Sequence, residues 1–145
     1  MARAESSLVV NCPMDKVFAL LADISRGTEW QSALLEVHLT SNGPMGIGTT
    51  IREVRRLLGR NLETAFTVTE YEPDNQLRFK STSGPIQMQA YFSLDETSEG
   101  TKVDMTVEAE LTGVFKMTEP MVVFSAKRQM DSDLAKLKEI LEGDN

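Results

Sequence analysis

The chain has 145 residues, of which 41% are hydrophobic and 26% charged, and a formal net charge of −7 at pH 7. That balance suits a single soluble domain over residues 1–145. It argues against nucleic acid and anionic membrane surfaces as partners, since both need clustered Lys and Arg. No apolar run approaches the roughly 20 residues that span a bilayer. Strand-like sequence starts soon after Met1, so no signal peptide is expected. Cys12 is the only cysteine, which excludes an internal disulfide and fits a reducing, cytoplasmic setting.

Ser6 to Asn11 is a short β-branched run and reads as a first strand. Pro13 marks a helix start, with Asp15 in the first turn and an apolar face of Met14, Val17, Phe18 and Leu21. Asp23 caps a second short helix running towards Trp30. Strands then succeed one another. Leu34 to Ser41 alternates with Leu35, Val37 and Leu39 on one face. Residues 42 to 48 form a Gly-rich loop, and Thr49 to Leu58 is a strand with a tight turn expected at Gly59-Arg60. Leu62, Thr64, Phe66 and Val68 share the inner face of the next strand, which ends at the turn Glu72 to Asn75. Leu77 and Phe79 carry a further strand. Ile86, Met88, Ala90, Phe92 and Leu94 alternate cleanly with Gln87, Gln89, Tyr91 and Ser93, and Val103 to Leu111 alternates in the same way.

After a link at Gly113 to Met117, the stretch from Thr118 to Glu142 reads as one long helix. Its second half is amphipathic, with Met130, Leu134, Leu137 and Leu141 at helical spacing. Its first half, around Met121, Val122, Val123 and Phe124, is apolar almost all round and is expected to be covered on every side, by protein or by a bound molecule. Gly143 to Asn145 is expected to fray after a Gly cap. Strands joined by short turns form a meander with one wet and one dry face. The expected class is therefore α+β: a curved antiparallel sheet of about seven strands wrapped around a long C-terminal helix, with two short helices after the first strand.

In this order the residues resemble the START/Bet v 1-like (SRPBCC) superfamily with its helix-grip fold, and within it the polyketide cyclase/dehydrase branch. The resemblance rests on Pro13 to Val17, Asp23 to Trp30, Gly46-Ile47-Gly48-Thr49, Thr69 to Pro73, Gly100-Thr101-Lys102-Val103 and Leu134 to Leu141, and covers nearly the whole chain. Two departures stand out: Cys12 where the family usually has Ser before the Pro, and Gly27-Thr28 in place of an aromatic and a Pro before Trp30. The resemblance implies a cavity under the helix for lipids, sterols, polyketides, quinones or hormones.

Little in the chain points to metal or nucleophile chemistry. One His and one Cys fall short of a zinc or copper site. The EF-hand loop, the P-loop and the Gly-x-Ser-x-Gly elbow are all missing. His38 reads as a solvated strand residue and Cys12 as a semi-buried structural thiol. The third strand carries charge on both faces, with Glu53 and Arg55 on one and Arg52 and Arg56 on the other. The plainer reading is a charged edge strand; the functional one is a Glu53/Arg55 pair on a cavity wall, holding a ligand's carbonyl or carboxylate. Trp30 is a cavity gate or an aromatic plug. Phe66, Phe79, Met88, Phe92, Met105, Val107, Met121 and Phe124 form the expected dry interior, with Tyr91 as a further polar group that would orient a ligand. Movement around Trp30 or of the Gly43–Gly48 loop would admit it.

Three functions are compatible with these residues. The first is a binding protein for a small hydrophobic molecule held between sheet and helix. The second is a cyclase or dehydratase of polyketide-like substrates, which requires an inward ionisable residue deep in the pocket. The third is an interaction module whose apolar helix end docks a partner chain or a second copy, giving a homodimer.

Overall fold

The structure, a computed structural model, describes residues 1–143; the expected fray at Asp144 and Asn145 lies outside them. The elements run β1 (Ala2–Val10), α1 (Met14–Ala22), a 3-10 turn (Ile24–Arg26), α2 (Gly27–Trp30), β2 (Leu34–Leu39), β3 (Thr50–Leu57), β4 (Arg60–Glu72), β5 (Gln76–Ser83), β6 (Gln87–Thr97), β7 (Gly100–Glu110), α3 (Gly113–Met117) and α4 (Glu119–Gly143). All seven strands form one antiparallel sheet in the order β1-β7-β6-β5-β4-β3-β2. Its dry face curls around α4, as the alternation demands.

Most of the core sits at one end. Met130, Leu134, Leu137 and Leu141 of α4 meet Val17, Phe18, Leu20 and Leu21 of α1 and Val68, Leu77, Leu94 and Val103 of the sheet. A smaller cluster of Ala2, Ile86, Leu111 and Val122 closes the other end. Along β1, Ser6 Oγ donates to Asp131 Oδ1 (2.5 Å) and Lys138 Nζ to the Val9 carbonyl (2.8 Å), while the Asn11 amide donates to Glu142 Oε2 (2.8 Å). These contacts fix the rotation of α4 about its axis. Gly100, at φ 133°, passes under the end of β1 so closely that a Cβ would sit 2.1 Å from the Val10 carbonyl oxygen, which explains the Gly at the head of the Gly-Thr-x-Val hairpin.

Several expectations are corrected. The β3–β4 turn is Leu58-Gly59, with φ values of 49° and 79°, and not Gly59-Arg60; both central residues are left-handed, as a type I′ turn requires. Strand β1 starts at Ala2, four residues before Ser6, because it pairs with β7 along its whole length. In β2 a register shift between Leu34 and Glu36 breaks the expected alternation, so Leu34 is buried while Leu35 and Leu39 are exposed. The link Gly113 to Met117 is itself a short helix. Strand β3 is not an edge: it lies between β2 and β4.

Candidate functional site

The helix and the sheet do not meet along the whole length of α4. Towards its N-terminal half they enclose a cavity of about 220 Å³. The helix turns Val122, Ser125, Ala126, Gln129, Met130 and Asp133 onto it, at spacings of three and four. These are small or polar side chains for the most part, and they leave the space that Leu134, Leu137 and Leu141 fill further on. The sheet contributes Ile51, Glu53, Arg55 and Leu57 from β3, Leu62, Thr64 and Phe66 from β4, Phe79 from β5, Met88, Ala90 and Phe92 from β6, and Met105, Val107 and Ala109 from β7. Period-2 alternation puts each set on the dry face, and Arg56, near the end of β3, also borders the cavity. The inward face of β3 follows: Glu53 and Arg55 face the cavity, and Arg52 faces out, paired with Glu63 at 3.0 Å.

The polar groups gather on one side, where β3, the segment after α2 and α4 converge. Arg55 Nε donates to Glu53 Oε2 (2.8 Å) and its Nη2 to Gln31 Oε1 (2.5 Å). The two charges compensate each other, which a partly buried pair needs. Opposite them stands Asp133, 2% exposed. Gln129 Nε2 donates to its Oδ1 (2.8 Å) and to Ser32 Oγ (2.6 Å), and the Ser32 amide donates to the same Oδ1 (3.3 Å). Burial raises the carboxyl's pKa above its ordinary value; the bonds from Gln129 and Ser32, and then the charge of Arg55, oppose the rise.

Of the residues named from sequence, Glu53, Arg55, Phe66, Phe79, Met88, Phe92, Met105 and Val107 come together on this wall. Four do not. Met121 and Phe124 are 59% and 63% exposed. At about 100° per residue, the inward phase set by Ala126 and Met130 turns Phe124 to the opposite side of the helix, where the Arg128 guanidinium lies 5.8 Å from its ring. Within the chain itself, therefore, the first half of the helix is not covered on every side. Tyr91 lies on the outer face of β6, its ring 4.0 Å from the Arg78 guanidinium, as its alternation with Ala90 and Phe92 dictates. Trp30 is buried but does not line the cavity; it packs edge-on against Phe92 at a centroid distance of 6.0 Å, as a plug would. The Gly43–Gly48 loop contributes nothing to the wall.

Sequence reasoning missed Asp133, Gln129, Gln31 and Ser32. Counting back from Leu137 by fours and threes reaches Asp133, Met130, Gln129 and Ala126, so the signal for the helix pair was present. Gln31 and Ser32 have no such signal, because only the fold brings residues 31 and 32 beside α4. Cys12 is buried, and burial raises its thiol pKa, consistent with a structural role. An open groove around Asn11, Asp74 and Thr97 has carboxylates on its walls and no comparable apolar lining.

A six-stranded meander, β2 to β7, with β1 added beside β7, curled on a long C-terminal helix with a side cavity between them, defines a START-type helix-grip protein. The chain belongs to the family described as polyketide cyclase / dehydrase and lipid transport, whose profile matches residues 1–142. Solved structures of the same fold include the Thermus thermophilus protein TTHA0849, with a TM-score of 0.86 at 20% identity and 99% of each chain covered. A START superfamily protein from Mycobacterium smegmatis superposes with a TM-score of 0.78 at 14% identity, covering 100% of both chains. The Zhui aromatase/cyclase of a Streptomyces species gives 0.80 at 15% identity, with 97% of this chain and 93% of that one covered. No curated protein matches the chain significantly. Among the described residues no helix is long and apolar enough to cross a membrane.

Proposed function

We propose that the protein binds a small hydrophobic molecule, of the lipid, polyketide or quinone kind, in the cavity between the sheet and α4. The observation that carries this reading is the cavity itself. At about 220 Å³ it exceeds the ~150 Å³ of an apolar protein cavity that holds benzene. Its walls are mainly apolar, with a cluster of hydrogen-bonding groups on one side, the arrangement by which pockets gain affinity from apolar contact and orientation from a few polar atoms. Burial of ligand surface at roughly 25 cal/mol per Å² would supply the affinity, less the costs of association. Native mass spectrometry of freshly purified protein, followed by denaturation and analysis of released compounds, tests it. A stoichiometric hydrophobic compound is expected. A clean unliganded mass, with no uptake of lipids, quinones or aromatic ketones afterwards, would count against it.

A second reading, a cyclase or dehydratase, is favoured by Asp133. It is the inward ionisable group that such an enzyme needs, and burial shifts its pKa in the direction that suits proton transfer nearer neutral pH. The family description and the aromatase/cyclase fold neighbour are in keeping with that reading. Turnover of a poly-β-keto thioester mimic, abolished in Asp133→Asn with binding retained, would decide for it; binding without turnover would decide for the carrier.

A further inference from the structure

We propose that the ligand of this cavity is a neutral, compact hydroxyl compound of one or two rings, whose hydroxyl donates a hydrogen bond to Oδ2 of Asp133. The inference rests on the ligand-binding reading above and specifies the chemistry that the site selects. Three observations support it.

The first is the hydrogen-bond pattern. Both donors to Asp133, the Ser32 amide and Gln129 Nε2, end on Oδ1. Among the described residues none donates to Oδ2. Asp133 is only 2% exposed and lines the cavity, so its second oxygen has little bulk water to accept from. A ligand hydroxyl reaching into the cavity supplies one.

The second is charge. Arg55 is already engaged by Glu53 and Gln31, so the β3 side of the cluster presents a compensated pair, not a free cation. A ligand carboxylate or phosphate set against Asp133 would place two negative charges side by side. A neutral hydroxyl avoids that cost.

The third is size. A space of about 220 Å³ takes a ring system somewhat larger than benzene.

The test is calorimetric titration of the full chain with 2-naphthol, 2-methoxynaphthalene and 2-naphthoate at pH 7.5, in the wild type and in Asp133→Asn. The wild type should bind 2-naphthol at least tenfold more tightly than 2-methoxynaphthalene, which has no proton to give, and 2-naphthoate most weakly. Asp133→Asn offers an amide N–H in place of the acceptor, so the naphthol-to-methoxynaphthalene ratio should fall to threefold or less. Equal binding of the two neutral probes by the wild type would overturn the proposal and leave the cavity as a purely apolar site. Tightest binding of 2-naphthoate would also overturn it, in favour of Arg55 as an anion anchor. An unchanged ratio in Asp133→Asn would overturn it too, by showing that the residue shapes the wall without touching the hydroxyl. No binding of either neutral probe would overturn this inference together with the cavity reading. The wild-type ranking needs no variant, so the test survives a misfolded mutant.

Discussion

The two halves of α4 are built from one continuous helix against one continuous sheet, yet they solve different problems. From Met130 to Leu141 the inward stripe is long and aliphatic, and Leu134 and Leu137 are fully buried against α1 and the strands. From Val122 to Gln129 the same stripe carries Ser125, Ala126 and Gln129, and the sheet opposite stands clear of it. Side-chain length along a single helical face thus decides where the space between helix and sheet is filled and where it is hollow. Asp133 stands at the boundary, where a carboxylate can be buried because the loop after α2 and Gln129 supply donors to it.

The contrast can be broken most severely from the packed half. Leu137→Ala leaves a void among side chains that already touch on all sides, and should cost about 2–5 kcal/mol in chemical denaturation. A loss under ~1 kcal/mol would mean that this end is hollow too. The mirror-image change, Ala126→Leu, adds volume to the open half. It should move stability by less than ~1 kcal/mol, since the usual penalty of overpacking needs a full core, and should abolish uptake of 2-naphthol in the titration. A cost of several kcal/mol would show that the space is not free.

Asp133→Asn sharpens the boundary. The folded-state carboxyl holds its proton to higher pH than the unfolded one, whose pKa lies near 3.8. The folded state therefore binds more protons above that pH, and the wild type loses stability as pH rises, until the folded-state group ionises. Asn carries no such charge and keeps an acceptor for Ser32 and Gln129. Its melting temperature should match the wild type near pH 4 and exceed it by a few degrees at neutral pH. A gap that closes as pH rises would refute the assignment. The smallest effect is expected at Phe124→Ala, within about 0.5 kcal/mol, because the ring is mostly exposed. A core-sized loss would place Phe124 inside, or inside an interface.

Much of the architecture was legible because it depends on local periodicity. Clean alternation in Ile86 to Leu94 and Val103 to Leu111 fixed the dry face, and the Leu134-Leu137-Leu141 repeat fixed the helix. The same rules placed Glu53, Arg55, Phe66 and Met88 on one wall once the inward face of β3 was known. Where the reading went astray, hydrophobicity was taken as a sign of burial without regard to helix phase. Met121 and Phe124 are apolar but point away from the stripe that Met130 and Leu134 define, while polar Asp133 lies on it. The bulge at Leu34/Glu36 and the approach of Gln31 and Ser32 to α4 depend on tertiary pairing and leave no local trace in the sequence.

The hollow half can be tested most directly through the chain's own methionines. Met88, Met105 and Met130 line the cavity, whereas Met117 and Met121 stand exposed near the head of α4. Methyl NMR of methionine-labelled protein during titration with 2-naphthol should show saturable shifts at Met88, Met105 and Met130 and none at Met117 or Met121. Shifts confined to Met117 and Met121 would move binding to the exposed helix end and support an interaction surface there. No shift at any of the five would contradict a cavity that takes a ligand.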